Sequence, residues 1–213
     1  MKTKIFVVLN KNKEVVNEVR NKTLKYFDKG YVEPHKSEIN NRVFHTMFDV
    51  DAFLVTTAKE LLSKHGGKEK PAIYVYWTHL WVPLFLDKKV YKNIKEFSKI
   101  TNSYVVSKNN TIIDKWCYHF WKKPKMNVDI GVDFNARDFV VFNDVVIQIF
   151  YPDELLKEMK RIYSAAKSVH DLDADALFKT LFERKTIIPV TVDKNPILAK
   201  QLSDKFKKHF KKR

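Results

Sequence analysis

The sequence predicts an α/β protein, with α+β as the alternative, built on a mixed β-sheet with helices on both faces and one local antiparallel hairpin. Three observations predict this class. Short β-branched and aromatic runs alternate with amphipathic helical patterns along all 213 residues. Apolar residues make up 45% and aromatic residues 14%, which is enough for a buried core. Two strand-like runs flank Asn143-Asp144, a dipeptide that fits a tight hairpin turn.

The amino-terminal half alternates strand and helix patterns, and glycines mark where helices end. Gly30 follows the first helical pattern, and Gly66-Gly67 follows the second. The segment from Thr78 to Leu86 is apolar but contains Pro83, so it reads as a loop or a second strand. The predicted elements are, in order, a strand over 2–9, a helix over 13–29, a helix over 51–65, a strand over 72–77 and a helix over 87–99.

The carboxy-terminal half carries clearer start signals. Thr111 is suited to cap one helix, Pro152 begins another, and Asn195-Pro196 caps and begins the last one. Residues 127–134 alternate with a period of two, which predicts a half-buried strand. The predicted elements are a strand over 103–106, a helix from 111 that ends before 124, strands over 127–134, 138–143 and 145–150, a helix from 152, a helix over 174–184, a strand over 186–192 and a final helix from 195.

One seam in the chain suggests a domain boundary. The stretch GGKEKP at 66–71 combines glycine, proline and charge, and neither a repeat nor a low-complexity tract occurs elsewhere. We therefore expect either an N-terminal βα unit over 1–70 followed by a main α/β domain over 71–213, or a single domain over 1–213.

The segment from Pro71 to Leu86 is the longest uncharged stretch. Its 16 residues are fewer than the 18 to 20 or so that a membrane-spanning helix needs, so we expect no membrane association through a span. The single cysteine, Cys117, excludes an intrachain disulfide and a Cys₂His₂ zinc finger. These features predict a cytoplasmic protein.

The chain is strongly basic, with 40 Lys and Arg residues against 25 Asp and Glu residues, a net formal charge of +15. Such a charge favours an anionic partner, DNA or RNA above all, although lysine is also a common solubilising residue. The carboxy-terminal KFKKHFKKR concentrates this charge on the outer face of the last helix. Its candidate phosphate contacts are Lys205, Lys207, Lys208, Lys211, Lys212 and Arg213, with a solvated helix end as the alternative.

Enzymatic machinery is hard to find in the sequence, so we expect no catalytic residue, no cofactor and no metal. Four glycines cannot build a P-loop or a dinucleotide-binding turn. The one enzyme-like signal is Asp49 and Asp51 in MFDVDAF, which on a strand would point the same way and hold Mg²⁺ for nucleotidyl transfer or nuclease chemistry. Capping of the following helix by either acid is the favoured explanation.

Large aromatic residues cluster between Tyr74 and Trp121, and all four tryptophans lie in this window. Most of these rings are expected in the core. Trp77, His79 and Trp81 alternate along a possible strand that ends at Pro83, and we predict that they line a pocket for a small ligand or a partner segment. Ligand burial there would bias a homodimer interface, provided that the ligand binds two states unequally. Aromatic stacking on nucleic-acid bases is the rival interpretation.

Two segments, DFVVFNDVVIQIFYPDELLKEMKRIY at 138–163 and KTIIPVTVDKNPILAKQL at 185–202, carry a family resemblance. In their order of elements they resemble the effector domain of archaeal TrmB-type transcriptional regulators. The resemblance covers about 71–210 and implies a phospholipase-D-like fold with a non-catalytic, sensing role. The catalytic phospholipase signature is His-x-Lys, then four residues, then Asp. The sole His-x-Lys of this chain, at His209 to Lys211, is followed by only two residues, so the chain departs from that signature. A DNA-reading winged helix is not evident in residues 1–70. Together these features favour a non-enzymatic regulator, with nucleic-acid binding as the alternative.

Overall fold

The computed structural model describes residues 41–66, 69–86 and 88–211. The strand expected over 2–9 and the helix expected over 13–29 lie outside the described residues. The described strands are β1 (Asn41–Phe44), β2 (Ala72–Trp77), β3 (Asn102–Ser107), β4 (Asn127–Ile130), β5 (Phe139–Phe142), β6 (Val145–Ile149) and β7 (Ile188–Lys194).

These seven strands form one mixed sheet in the order β1-β7-β6-β5-β2-β3-β4. The strands β2, β3 and β4 run parallel, while all other neighbouring pairs are antiparallel. The sheet therefore has a parallel half that ends at β4 and an antiparallel half that ends at β1. Because β2 to β4 are parallel neighbours, each connection between them must cross over, and each contains a helix.

The helices of the described part are α1 (Met47–Ser63), α2 (Lys88–Ile100), α3 (Ile112–Trp121), α4 (Asp153–Ala165), α5 (Ala174–Phe178) and α6 (Pro196–Lys211). Short 3₁₀ turns occur at Pro83–Phe85 and Val169–Asp171, and a π-helical turn at Lys179–Glu183 extends α5. Along the described part of the chain, no helix is both long enough and apolar enough to span a bilayer.

Two separate cores pack against the two faces of the sheet. The first face buries apolar side chains of α1, α3, α4 and α5. The second face is covered by α6, whose Ala199, Leu202 and Phe206 pack against strand side chains that include Tyr76 and Phe139. The predicted α/β class, the mixed sheet and the presence of helices on both faces are thus confirmed.

The predicted hairpin is confirmed as the turn between β5 and β6. Phe142 pairs with Val145, which leaves Asn143 and Asp144 as the two loop residues. Asn143 has a φ of 53°, a left-handed conformation that asparagine tolerates better than most residues do. Two-residue hairpin loops require this conformation, so the dipeptide was a sound local signal.

The helix starts divide into confirmed and corrected predictions. Thr111 caps α3 in a reciprocal capping box with Asp114, and Asn195 Oδ1 accepts a 3.0 Å hydrogen bond from the Leu198 backbone N–H at the start of α6. The expected cap of α1 was wrong. Thr46 performs this role by accepting from the Asp49 backbone N–H at 3.1 Å, so α1 begins four residues earlier than expected.

The strand expected over 127–134 is shorter than its alternation suggested. β4 ends at Ile130, and Gly131 follows with a φ of 75°, where a residue with a side chain would be strained. After this turn the chain changes face, because Val128 belongs to the first core while Val132 and Phe134 pack against the second. The alternation of apolar and polar residues thus continues to residue 134, although the strand itself ends at Ile130.

The strand β1 belongs to the same sheet as the rest of the chain, since it pairs antiparallel with β7 over four residues. Within the described part of the chain, residues 41–66 therefore add one edge strand and one helix to the main sheet. Because residues 1–40 lie outside the described part, the predicted division at residue 70 stays a prediction.

Candidate functional site

The loop that follows β2 holds two of the three predicted pocket residues. β2 ends at Trp77, so His79 and Trp81 lie on this loop and not on a continuing strand. Every residue from Thr78 to Trp81 is fixed by a hydrogen bond: Asp138 accepts from Thr78, Asp114 accepts from His79 and Leu80, and Trp121 Nε1 donates to the Trp81 carbonyl at 2.8 Å. The loop is therefore firmly anchored to the surrounding helices and strands.

His79 is a buried residue with three packed partners. Its side chain is 3% exposed, its Nδ1 donates to Asp114 Oδ2 at 3.0 Å, and its Nε2 accepts from Asn109 Nδ2 at 3.3 Å. The ring of Tyr163 lies against it with centroids 4.3 Å apart. Because both ring nitrogens are occupied inside the protein, His79 acts in this structure as part of an internal polar network.

Asp114 is the centre of that network, and sequence reasoning did not single it out. The carboxylate is fully buried and accepts hydrogen bonds from the backbone N–H groups of Leu80 and Thr111, from the Thr111 hydroxyl and from His79. The Thr-x-x-Asp spacing at 111–114 was the available signal, because it matches a capping box. One carboxylate thus joins the start of α3 to the loop after β2.

A cavity of about 20 Å³ lies beside this loop. Its lining residues are Met47, Thr78, His79, Trp81, Val82, Asp138, Tyr151, Leu156, Met159, Tyr163 and Leu181. Such a volume holds one water molecule, whereas pockets for small organic ligands measure about 300 to 1,000 Å³. Trp77 is not part of the lining; it is 9% exposed and packs in the first core. The structure therefore brings His79 and Trp81 to one cavity but not Trp77.

Two carboxyl groups near the cavity are strongly desolvated. Burial raises the pKa of Asp138 to about 6, although its hydrogen bonds from the Thr78 N–H and hydroxyl oppose the shift. Burial also raises the pKa of Asp51 to about 6, and it raises the pKa of Tyr151 well above its usual range, with both acids adding to that rise. A desolvated carboxyl favours its neutral form.

The alternative that Asp49 and Asp51 hold Mg²⁺ from a strand is contradicted, because both acids lie in α1. Residues two apart in a helix are separated by about 200° around its axis, so their side chains point to nearly opposite sides. They do not form the two-carboxylate ligand set that a strand would have presented. Among the described residues, no group of three or more His, Cys, Asp or Glu side chains is placed to hold a metal ion.

The positive charge of the chain is concentrated in two segments. Residues 88–125 contain ten lysines and two acids, a net formal charge of +8, and residues 200–213 contain seven basic residues and one acid, a net charge of +6. All remaining residues together carry only +1 of the total of +15. The first segment was missed at the sequence level, although counting charge in windows along the chain would have found it.

Four exposed lysines of α2 lie on one stripe of the helix: Lys88, Lys92, Lys95 and Lys99. Their spacing of four, three and four residues repeats close to whole helical turns, and the stripe is about 16 Å long. Glu96 is the one acid of α2, and Lys99 donates to it at 2.8 Å. That hydrogen bond, together with the charges of Lys92 and Lys95, holds the pKa of Glu96 below its usual range.

The α3 helix extends this charge beside α2. The ring of Tyr91 in α2 contacts that of Phe120 in α3, with centroids 5.4 Å apart, so the two helices are neighbours. Lys122 and Lys123 lie over the rings of Tyr118 and Phe120, at 4.8 and 5.7 Å from the ring centroids. We call the exposed lysines of this region the α2–α3 lysine surface: Lys88, Lys92, Lys95, Lys99, Lys115, Lys122, Lys123 and Lys125.

The described carboxy-terminal lysines face solvent, as expected. Lys205, Lys207, Lys208 and Lys211 are exposed on α6, and we call them the α6 lysines. Phe206 is fully buried and Phe210 half-buried against the second core. The predicted contacts Lys212 and Arg213 lie outside the described residues. His209 Nε2 donates to the buried Asp129 of β4 at 2.5 Å, which attaches the end of α6 to the edge of the sheet.

Comparison with known proteins gives two structural likenesses. TrmBL2, an archaeal chromatin protein whose structure shows a novel mode of DNA binding, is 10% identical with a TM-score of 0.41, over 96% of this chain and 64% of that one. Nuc from Salmonella typhimurium, a phospholipase D family member, is 8% identical with a TM-score of 0.46, over 80% of this chain and 93% of that one. No protein-family profile and no curated protein matches the chain.

The chain thus spans a little less than two thirds of the length of TrmBL2. Since both TM-scores are below 0.5, the TrmB-type and phospholipase-D-like resemblance of the sequence stays a prediction. At these identities and TM-scores, the likeness assigns neither a family nor an activity to this protein.

Proposed function

We propose that this protein binds nucleic acid through the α2–α3 lysine surface and the α6 lysines. The observation that carries the proposal is the segregation of charge: two segments hold +14 of the net +15. Evenly distributed lysines would serve solubility equally well, so solubility alone does not explain the clustering. A surface that concentrates lysines attracts phosphates and releases the counterions condensed on the nucleic acid.

The helix dipole accounts for part of the pattern only. Cations at the last turn of a helix interact favourably with its carboxy-terminal end, which explains Lys99, Lys208 and Lys211. Lys88 and Lys92 lie in the first half of α2, where a positive charge gains nothing from the dipole. Their placement in line with Lys95 favours a ligand with a row of negative charges.

Binding is tested with a labelled oligonucleotide and fluorescence anisotropy at low salt. The test variants change Lys88, Lys92, Lys95 and Lys99, or the four α6 lysines, to Gln. A matched control changes the exposed Lys157, Lys160, Lys167 and Lys185 to Gln, which removes the same charge elsewhere.

For an oligonucleotide long enough to contact both surfaces, we expect each test variant to lose about 10-fold or more in affinity and the control to lose much less, because phosphate contacts are local. Undetectable binding by the unmodified protein in low salt would refute the proposal. Equal losses in all three variants would refute the assigned surface.

A second proposal is a regulatory, sensor-like role in the cytoplasm, in which a small ligand enters beside His79 and Trp81 and biases a homodimer. The specific observation in its favour is that these two side chains line one cavity with polar groups. Because that cavity holds about one water molecule, the ligand must displace Trp81 or its neighbours on binding. A screen of small molecules by tryptophan fluorescence, carried out on the unmodified protein and on Trp81→Phe, tests this proposal. Ligands that change the fluorescence of both proteins equally would contradict it.

A further inference from the structure

We infer that the nucleic acid is single-stranded and passes around the β4 edge of the sheet, contacting the α2–α3 lysine surface and the α6 lysines at the same time. The inference rests on the proposed function and specifies its ligand. It follows from the positions of the two basic segments relative to the sheet. The proposed function alone does not require that one nucleic acid contact both segments.

The two segments lie on opposite faces of the sheet. α3 packs into the first core through Ile113 and Cys117, and α2 lies beside α3 through the contact of Tyr91 with Phe120. α6 packs into the second core. Since each packed layer is separated from the next by about 10 Å, the helix axes on the two faces are about 20 Å apart.

The two segments approach each other at one corner of the molecule, where β4 begins. Asn127, the first residue of β4, pairs with Tyr104, and the Tyr104 ring contacts Phe210 near the end of α6 with centroids 5.4 Å apart. The exposed Lys125 lies two residues before Asn127, and Lys211 follows Phe210. Exposed lysines are therefore present on both sides of this corner.

Within the described residues, β4 is the outermost strand on this side of the sheet. No other described helix or strand lies beyond β4 at this edge, so a bound nucleic-acid strand passes directly around it. Although β4 itself carries no basic residue, Lys125 and Lys211 place positive charge on both sides of its edge.

A duplex is too stiff to follow this path. Its persistence length is about 150 base pairs, whereas the 20 Å between the two helix layers corresponds to only about six base pairs. A duplex therefore contacts one surface at a time. A single strand bends freely between nucleotides and reaches both, and the half-buried rings of Tyr91, Tyr118 and Phe120 lie beside the lysines where bases stack.

The test uses three labelled probes at 0.1 M salt: an 18-nucleotide thymidine strand, a 6-nucleotide thymidine strand and an 18-base-pair hairpin duplex. Each is titrated with the unmodified protein, with the α2 variant (Lys88, Lys92, Lys95 and Lys99 to Gln), with the α6 variant (Lys205, Lys207, Lys208 and Lys211 to Gln) and with the control variant at residues 157–185 defined above. An 18-nucleotide uridine strand distinguishes DNA from RNA as the source of the strand. Circular dichroism checks that every variant is folded.

For the 18-nucleotide strand we expect the α2 and α6 variants each to lose between about 10-fold and about 600-fold in affinity. The upper limit applies if each of the four lysines neutralises one phosphate. Affinity scales with salt concentration to the power −0.7 per contact, so at 0.1 M salt each contact contributes about 5-fold and four contacts about 600-fold. For the 6-nucleotide strand and the duplex, which use one surface at a time, either variant alone loses about 2-fold because the other surface remains.

The inference is overturned if the duplex and the long strand respond alike to both variants, or if one variant abolishes binding of the long strand and the other has no effect. Either result leaves nucleic-acid binding intact and removes the path around β4. Failure of all these probes, including the uridine strand, to bind in low salt instead removes the proposed function itself. Equal behaviour of the uridine and thymidine strands assigns the interaction to the shared phosphate and base chemistry.

Discussion

Replacing Asp114 tests how the loop after β2 is held against α3. The buried carboxylate accepts four hydrogen bonds, from the Leu80 N–H, the His79 Nδ1–H, and the N–H and hydroxyl of Thr111 at the helix start. In Asp114→Ala these donors lose their acceptor, and α3 loses its capping box.

The expected cost follows from these contacts. The His79 Nδ1–H and the Leu80 N–H are left without an acceptor, which costs about 1 to 3 kcal/mol for each. The lost cap costs about 1 kcal/mol, so Asp114→Ala is expected to lower the free energy of unfolding by about 4 kcal/mol in total. Asp114→Asn keeps one oxygen and is expected to cost about 2 kcal/mol, since its amide faces a donor. Thr111→Val removes only the hydroxyl of the cap and is expected to cost about 1 kcal/mol.

Urea unfolding followed by circular dichroism measures this series at neutral pH. The milder Asn and Val variants keep the test valid if the alanine variant does not fold. The reasoning predicts the order Ala, Asn, Val from most to least destabilised. A loss below about 1 kcal/mol for Asp114→Ala, or a reversed order, would show that the network does not anchor the loop.

Three further predictions concern single buried groups. Burial raises the pKa of Asp138 to about 6, above the unfolded value of about 3.9, so the folded state binds more protons between these values. The protein therefore loses stability as the pH rises through that window, and Asp138→Asn should gain about 2 kcal/mol relative to it between pH 4 and pH 7. A stability difference that does not change with pH would contradict this. Phe206→Ala should lower the free energy of unfolding by about 3 to 5 kcal/mol in a urea titration, because the ring is fully buried against Tyr74, Phe134 and Phe139. A change under 1 kcal/mol would mean that this ring does not anchor α6 to the sheet. Burial raises the pKa of the Cys117 thiol well above its usual range, so a thiol reagent should label it only on unfolding, and rapid labelling of the folded protein would be contrary to this.

Much of the fold was predictable because local signals and the tertiary structure agree. The Leu198, Leu202, Phe206 and Phe210 stripe of the last helix packs on the sheet as its spacing indicated, and the hairpin at Asn143 has the backbone conformation that the dipeptide favours. Helix capping at Thr111 was also readable, since the cap involves residues only three apart.

The strand order was not predictable, because it depends on contacts far apart in the chain. β1 pairs with β7, about 147 residues later, and nothing in either segment specifies that partner. Which residues of the aromatic window reach the cavity was not predictable for the same reason. Alternation placed Trp77, His79 and Trp81 together, but the strand ends at Trp77, and distant residues such as Asp114 and Tyr163 decide where His79 lies.

The proposed nucleic-acid-binding surface was partly predictable. The carboxy-terminal lysines stand out because they are consecutive in sequence, and the described ones are exposed on α6. The lysines of α2 and α3 are spread over 38 residues and separated by a buried strand, so they form one surface only after the two helices pack side by side.

The salt dependence of oligonucleotide binding tests the central claim most directly. For a single strand, the logarithm of affinity should fall linearly with the logarithm of salt concentration, and the slope should become shallower by about 3 in either four-lysine variant, since each lost phosphate contact removes about 0.7. The control variant at residues 157–185 should keep the slope of the unmodified protein. A slope near zero, or one that the α2 and α6 variants leave unchanged, would contradict the assignment of these lysines to nucleic-acid binding.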